Sequence, residues 1–284
     1  MKLIFTKMHG LGNDYIFITQ ARNPNLTVSD VQAMSAWLSR RRISVGADGV
    51  VFLCPCPDAD FAMYVFNADG SRAQTCGNAL RCAGLYYLQN TKTPLPCVNV
   101  RTMAGLRRVY PESAEHITVD MGHSSFLPTQ IPLATGYAAT FTYRFLGVPL
   151  EIHAVSMGNP HAVVFSDAIE HVDLETLGRE IQRCDAFLEQ VNVEFVKLLA
   201  DGSIRMRVYE RGSGITTACG SGACAAVSVA VRCGLCARGA FITVRLDGGD
   251  LQVLCAEDDR TFLMGDAHLV YEGTVEMDDA VRPL

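Results

Sequence analysis

The chain has 284 residues, with 24 Lys and Arg against 30 Asp and Glu, a formal net charge of −6, 49% hydrophobic residues and 19% charged residues. This composition supplies ample material for a core and excludes disorder as the overall state; the acidic balance argues against nucleic acid or an anionic membrane as the main partner. The length allows one large domain or two of ordinary size, and no apolar run approaches the eighteen or so residues of a membrane-spanning helix.

The opening Met1-Lys2-Leu3-Ile4-Phe5-Thr6-Lys7 puts a second cation where a signal peptide has its apolar core, so a reducing, cytoplasmic setting is expected. Gly10-Leu11-Gly12 matches too little of a P-loop or dinucleotide loop to read as either. Eleven cysteines with scattered spacing do not form a disulfide framework, and most are expected as small buried hydrophobes. Cys54-Pro55-Cys56 is a poor zinc pair and Cys233-Gly234-Leu235-Cys236 a better one; a structural site needs two good pairs, so no metal is expected.

Phe61 to Phe66 is rich in β-formers and reads as a strand, followed by the polar turn Asn67-Ala68-Asp69-Gly70-Ser71. Cys76-Gly77 comes next, then Ala79, Leu80, Ala83, Leu85 and Leu88 at helical spacing. The same order returns 143 residues later, half a chain length. Met206-Arg207-Val208-Tyr209-Glu210 matches Met63-Tyr64-Val65-Phe66-Asn67, and Cys219-Gly220 matches Cys76-Gly77 without a gap. A strand over Ile204 to Tyr209 and the turn Glu210-Arg211-Gly212-Ser213-Gly214 precede the second cysteine. A small-sided helix, apolar nearly all round and therefore buried, follows it. Near the start of each half, Gly12-Asn13-Asp14 echoes Gly158-Asn159-Pro160-His161. The repeat implies two similar domains, each delivering one cysteine to a helix N-terminus.

That placement carries chemistry. Unpaired N–H groups and the positive dipole end lower a thiol's pKa, and the same groups bind a carboxylate. A glycine after each cysteine allows close backbone approach. Either cysteine alone reads as a buried structural residue. Two related by pseudo-symmetry suit removal of a proton from one face of a carbon and its return to the other. A histidine ordinarily titrates near neutrality, so His161 suits a general base toward a cysteine, though alone it reads at least equally as a hydrogen-bonded surface histidine. Glu210-Arg211, read alone, is an exposed charge pair.

Taken together, Met8-His9-Gly10-Leu11-Gly12-Asn13-Asp14-Tyr15, Gly46-Ala47-Asp48-Gly49, Asn67 to Ser71, Cys76-Gly77-Asn78-Ala79 with Arg81-Cys82, Ser156 to His161, and Tyr209-Glu210-Arg211-Gly212 through Cys224 resemble the diaminopimelate epimerase family, in its order. The related proline racemases and phenazine-type isomerases usually have a histidine where Asn78 stands. The resemblance implies an α/β (α+β) fold of two pseudo-symmetric domains, each a curled, mostly antiparallel sheet around a central helix, with the site in the cleft between them. The domains are expected at 1–121 plus 272–284 and at 122–271. The implied activity is interconversion of LL- and meso-diaminopimelate, without pyridoxal phosphate or another cofactor, in lysine and peptidoglycan precursor synthesis.

By the same resemblance, Cys76 and Cys219 are the acid/base pair, with His161 and Glu210 as their partners. Asn13, Asn67, Asn159, Asn192, Glu210 and Arg211 correspond to substrate contacts, chiefly at the distal end. The N–H groups of Gly77, Asn78, Gly220 and Ser221 correspond to an α-carboxylate cradle, and homodimers are common in the family. Three positions depart from the family pattern: Ile215 for Glu, Ala79 for Gly, and Gly49 where some members carry Gln. The alternatives are a two-cysteine racemase of another amino acid and, from another class, a zinc or thiol-redox protein.

Overall fold

The computed structural model describes residues 1–74, 76–93 and 95–277. In chain order the elements are β1 (Lys2–Gly10), β2 (Asn13–Thr19), α1 (Val28–Leu38), β3 (Gly49–Cys54), β4 (Phe61–Asn67), β5 (Arg72–Ala73), α2 (Gly77–Asn90), β6 (Val98–Thr102), β7 (Gly105–Pro111) and β8 (Ile117–His123). There follow β9 (Thr140–Phe145), β10 (Val148–Ser156), β11 (Pro160–Phe165), α3 (Leu174–Gln182), β12 (Asn192–Leu198), β13 (Ile204–Glu210) and β14 (Gly214–Thr216). The last are α4 (Gly220–Arg232), β15 (Phe241–Leu246), β16 (Gly249–Cys255), β17 (Arg260–Gly265) and β18 (His268–Glu276). The chain forms two compact units, one of residues 1–119 with 265–277 and one of residues 120–264.

The two units repeat one pairing scheme. In the first, β1–β2 is an antiparallel hairpin, β2–β3 is parallel, β3–β4 and β4–β5 are antiparallel, β4–β6 is parallel, and β6–β7 is antiparallel. In the second, β10–β11, β11–β12, β12–β13, β13–β14, β13–β15 and β15–β16 follow the same sequence of senses. One edge differs in origin. Beside β10 lies β9, its neighbour in the chain, whereas beside β1 lies β18, with Lys2 opposite Glu276. The unpaired edge of β1 is thus closed by a strand from the far end of the chain.

Each unit packs an outer helix on one face of its strands and a central helix on the other. In the first unit Leu3, Phe5, Ile16, Ile18, Val50, Phe52 and Phe66 form one core with Val31, Met34 and Leu38 of α1. Val51, Met63 and Val65 alternate onto the opposite face and are also buried, as are Ala79, Leu80 and Ala83 of α2. Gly84 lets α2 lie close, since a Cβ there would meet Val109 Cγ1 at 2.8 Å and Ile117 Cγ2 at 3.1 Å. In the second unit Leu174 and Ile181 of α3 join Ile152, Ala154, Ala162, Val193 and Phe195. Residues 222–230 of α4 are buried, which accounts for their small size. Among the described residues no helix is long and apolar enough to cross a membrane.

Candidate active site

Among the described residues the four α-helices start differently. Thr27 caps α1 in a capping box with Asp30, and Asp173 caps α3 by accepting from Thr176 N at 3.1 Å. The residues at the N-caps of α2 and α4 are Cys76 and Cys219, both extended. The Cys76 side chain makes no cap hydrogen bond; Cys219 Sγ accepts from Gly222 N at 3.3 Å. Replacing an oxygen cap by a poor one costs a helix about 1 kcal/mol. It also leaves first-turn N–H groups that no side chain takes available to a ligand.

In the first unit the β1–β2 hairpin turns through Leu11 (φ 54°) and Gly12 (φ 78°), both left-handed, as a two-residue turn of this twist requires. The turn aims Asn13 and Tyr15 at α2. Tyr15 Oη lies 2.9 Å from Cys76 Sγ and donates to Asn13 Oδ1, which also accepts from Asn78 Nδ2 at 3.0 Å. Asn13 Nδ2 donates to Asp48 Oδ2 at 2.9 Å. Behind it Asp14 takes Lys7 at 2.7 Å and the Arg41 guanidinium at 2.6 Å. Burial works to raise the Asp14 carboxyl, but Arg41, Lys7 and Asp48 outweigh it and hold the pKa at about 2. Asn67 ends β4 and donates to Ser71 Oγ at 2.9 Å. Gly49 belongs at its position because a Cβ there would meet Phe66 O at 2.5 Å.

The second unit places His161 on β11 and Glu194 on β12, which pair in parallel. Both side chains are fully buried, with His161 Nδ1 2.6 Å from Glu194 Oε1. His161 Nε2 lies 3.2 Å from Asn159 Oδ1. The carboxylate fixes which ring nitrogen faces away from it. Cys219 is 5% exposed, with Sγ 3.6 Å from Ser221 Oγ. Burial, then the charges of Glu210 and Glu194, push the Cys219 thiol well up, against Ser221 and the Gly222 N–H. Burial likewise raises Glu210, against hydrogen bonds from Thr216 and Cys219. Gly222 is required here, as a Cβ would meet Glu194 Oε1 at 2.7 Å.

Asn192 is buried and ties the strand ends, donating to Pro160 O at 3.2 Å and accepting from Arg211 N at 2.9 Å. The Arg211 guanidinium is half exposed and donates to Gln190 O at 3.2 Å and Glu189 Oε2 at 3.4 Å. Of the residues expected from the sequence, His161 is a core residue and not a surface histidine; Glu210 is half-buried beside a thiol. The structure adds Tyr15, Asp48, Glu194 and Thr216 to the residues expected at the two cysteines; Tyr15, Asp48 and Thr216 lie inside the quoted motifs without a role assigned there. A signal existed for Glu194, an acid inside the apolar run Asn192-Val193-Glu194-Phe195-Val196. Elsewhere Cys56 Sγ donates to Asp58 Oδ1 at 2.9 Å, and Cys233 ends α4 with Sγ 3.9 Å from His153 Nδ1. Among the described residues no three or more His, Cys, Asp or Glu side chains group to hold a metal ion.

The likeness to known proteins runs nearly the whole length. The diaminopimelate epimerase of Halothermothrix orenii is 39% identical over 97% of this chain and 98% of its own length. That of Phocaeicola vulgatus is 41% identical over 96% and 98%. Among solved structures, a probable proline racemase from Agrobacterium radiobacter superposes with a TM-score of 0.73 at 17% identity, covering 97% of this chain and 93% of that one. A PhzF-family phenazine biosynthesis protein of Bacillus anthracis gives 0.70 at 14%, covering 98% and 100%. These two share the fold. The sequence model of the diaminopimelate epimerase family matches residues 5–127 and 153–270, and the chain belongs to that family.

Proposed function

We propose that the protein interconverts LL- and meso-diaminopimelate by two-thiol proton transfer at the α-carbon, serving lysine and cell-wall precursor synthesis. Cys76 and Cys219 are the acid/base pair. One thiolate takes the α-proton, and the other thiol delivers a proton to the opposite face. The observation that carries this reading is the repeated scaffold: two cysteines at equivalent positions, each at the N-cap of the central helix of its unit. The developing carbanion is stabilised by binding the α-carboxylate to the N–H groups of Gly77, Asn78, Gly220 and Ser221. His161, with its ring fixed by Glu194, and Glu210, whose raised pKa suits proton exchange with a neighbouring thiol, are the partners that reset the two cysteines. Asn13, Asn67, Asn159, Asn192 and Arg211 hold the substrate, Arg211 taking the distal carboxylate.

Each compact unit supplies half of this machinery, and the working assembly is a cytoplasmic homodimer, which sedimentation velocity checks. The central test is exchange of the substrate α-proton with solvent deuterium on LL-diaminopimelate against a panel of amino acids. Exchange on diaminopimelate far above the panel supports the reading. Equal exchange on lysine would assign the chain to a racemase of another amino acid.

A further inference from the structure

Gly12-Asn13-Asp14-Tyr15 leads into β2 and Gly158-Asn159-Pro160-His161 into β11, so Tyr15 holds in the first unit the position that His161 holds in the second. The strand register agrees. Tyr15 lies opposite Gly49 and His161 opposite Asn192, and Gly49 and Asn192 are 143 residues apart, as the two cysteines are. Residues i and i+2 of a strand share a face, and in both units the asparagine takes the side chain two residues on. Tyr15 Oη donates to Asn13 Oδ1, and His161 Nε2 lies 3.2 Å from Asn159 Oδ1. The chemistry at the shared position differs. An imidazole exchanges protons near neutrality, whereas a phenol ordinarily keeps its proton below pH ~10. What Tyr15 offers is one hydroxyl proton and two lone pairs.

The direction of those hydrogen bonds is fixed from Asp48. Asp48 pairs with Arg41 at 2.8 Å and accepts from Asn13 Nδ2 at 2.9 Å. An ionised carboxylate only accepts, so the Asn13 amide turns its nitrogen to Asp48 and its oxygen to Tyr15. Asn78 Nδ2, in the first turn of α2, donates to that same oxygen at 3.0 Å. Two oxygens in contact need a proton between them, and of Asn13 Oδ1 and Tyr15 Oη only the hydroxyl carries one. The Tyr15 proton is thereby committed to Asn13. Toward Cys76 Sγ, 2.9 Å away, Oη presents a lone pair, and the proton in that contact is the thiol's. Tyr15 is 5% exposed, with its ring edge-on to Phe17 at 6.5 Å, which shields the hydroxyl from water. The Cys76 side chain makes no cap hydrogen bond with α2, unlike Cys219, whose sulfur accepts from Gly222 N.

We propose that Tyr15 is a positioning residue for Cys76: its hydroxyl oxygen accepts the Cys76 S–H in the resting enzyme and holds the sulfur in place. This rests on the reading of the two cysteines as the acid/base pair. When Cys76 gives its proton to the α-carbon, the S–H bond breaks, its electron pair stays on sulfur and a C–H bond forms. The Tyr15 hydroxyl then turns its own proton from Asn13 Oδ1 to the thiolate, while Asn13 Oδ1 keeps the Asn78 N–H. One hydroxyl serves both states of the sulfur without itself ionising.

The test is infrared spectroscopy of the S–H stretch in the full-length, ligand-free protein at neutral pH. The Cys76 band is the difference between each protein and its Cys76→Ala counterpart. A thiol that donates a hydrogen bond absorbs at lower wavenumber than one that does not. The Cys76 band should be present, and should move to higher wavenumber in Tyr15→Phe, which keeps the ring and removes only the oxygen. Exchange of the α-proton of LL-diaminopimelate should fall about ten-fold or more in that variant, the cost of a misaimed reacting group. Absence of a Cys76 S–H band in the parent, which needs no Tyr15 variant, overturns the proposal. So does an unmoved band in folded Tyr15→Phe, and so does undiminished exchange beside a moved band. Full exchange in Cys76→Ala would sink the two-thiol reading instead, and the band would still decide the contact of Tyr15 with Cys76.

Discussion

The cysteine-bearing helix ends of the two units share a backbone and differ in charge. Both deliver a cysteine from a strand and a short hairpin arm into the N-cap of a central helix. Beside Cys76 stands a tyrosine hydroxyl at 2.9 Å, and the same helix buries the guanidinium of Arg81. Around Cys219 stand a backbone N–H at 3.3 Å, a serine hydroxyl, the buried carboxyl group of Glu194 and the half-buried one of Glu210. Repetition preserved the geometry because strand pairing and helix packing fix it. The electrostatics diverged because single side chains set them. The proposed reaction, which needs one thiolate and one thiol at once, is served by that asymmetry, since two identical environments would titrate together.

The sharpest way to break the comparison is to remove the sulfurs. Cys76→Ala and Cys219→Ala should each lower epimerisation by at least about a thousand-fold, since each face of the carbon has one proton carrier. Cys233→Ala and Cys236→Ala should retain most activity. A dead Cys233 variant beside an active Cys76 variant would place the chemistry elsewhere. The rate should also be bell-shaped in pH, and a rate still climbing where both thiols ionise would contradict a thiolate–thiol pair.

A smaller effect isolates the second half. Glu194→Gln keeps the shape but removes the charge that orients His161, and should lower kcat on the order of a hundred-fold with KM little changed. It should also destabilise the fold, because a neutral amide makes a weaker buried hydrogen bond to His161 than a carboxylate does. Unchanged kcat in a folded variant would reduce the pair to a packing role.

On the proposed reading, Arg211 concerns substrate choice more than chemistry. Its present partners, Glu189 at 3.4 Å and the Gln190 carbonyl, hold it loosely, so exchanging them for a substrate carboxylate is inexpensive. Arg211→Lys should cost about 2 kcal/mol in kcat/KM, roughly thirty-fold, because an ammonium cannot reproduce the guanidinium fork. Its preference for diaminopimelate over lysine should fall in step. Undiminished preference would assign Arg211 to the Glu189 contact alone.

The smallest effect lies in stability. The Asp14 carboxyl has a folded pKa of about 2, below the ordinary carboxylate value near 3.9, so its contribution is present above pH ~4 and lost as pH falls toward 2. Asp14→Asn should cost on the order of 2 kcal/mol at neutral pH, with the gap to the parent closing across that window in urea unfolding. A gap independent of pH there would deny the ionic origin.

The repeat at 143 residues, the strands before each Cys-Gly and the helices after them were legible in the sequence. Strand composition, polar turns and small-residue runs are local, and a gapless offset preserves them in both halves. The motif resemblance likewise named Cys76, Cys219, His161 and Glu210. His161 and Glu210 read as surface groups by local pattern because nothing next to them in the chain says they are buried. Their burial comes from neighbouring strands and helix packing, which no local window contains.

What the sequence determined by itself is therefore the scaffold: two copies of a strand, a turn and a cysteine-headed helix, encoded by contacts within a few residues. What only the tertiary structure decided is the charge around each thiol. Glu194 meets His161 across a strand register 33 residues apart, Tyr15 reaches Cys76 across 61, and Arg81 is roofed by Gly10 and bonded to Asp266 across 185. Those neighbours come together only when the sheets close. A thiol's protonation is set by whichever charges end up within a few ångströms of it after water has been excluded.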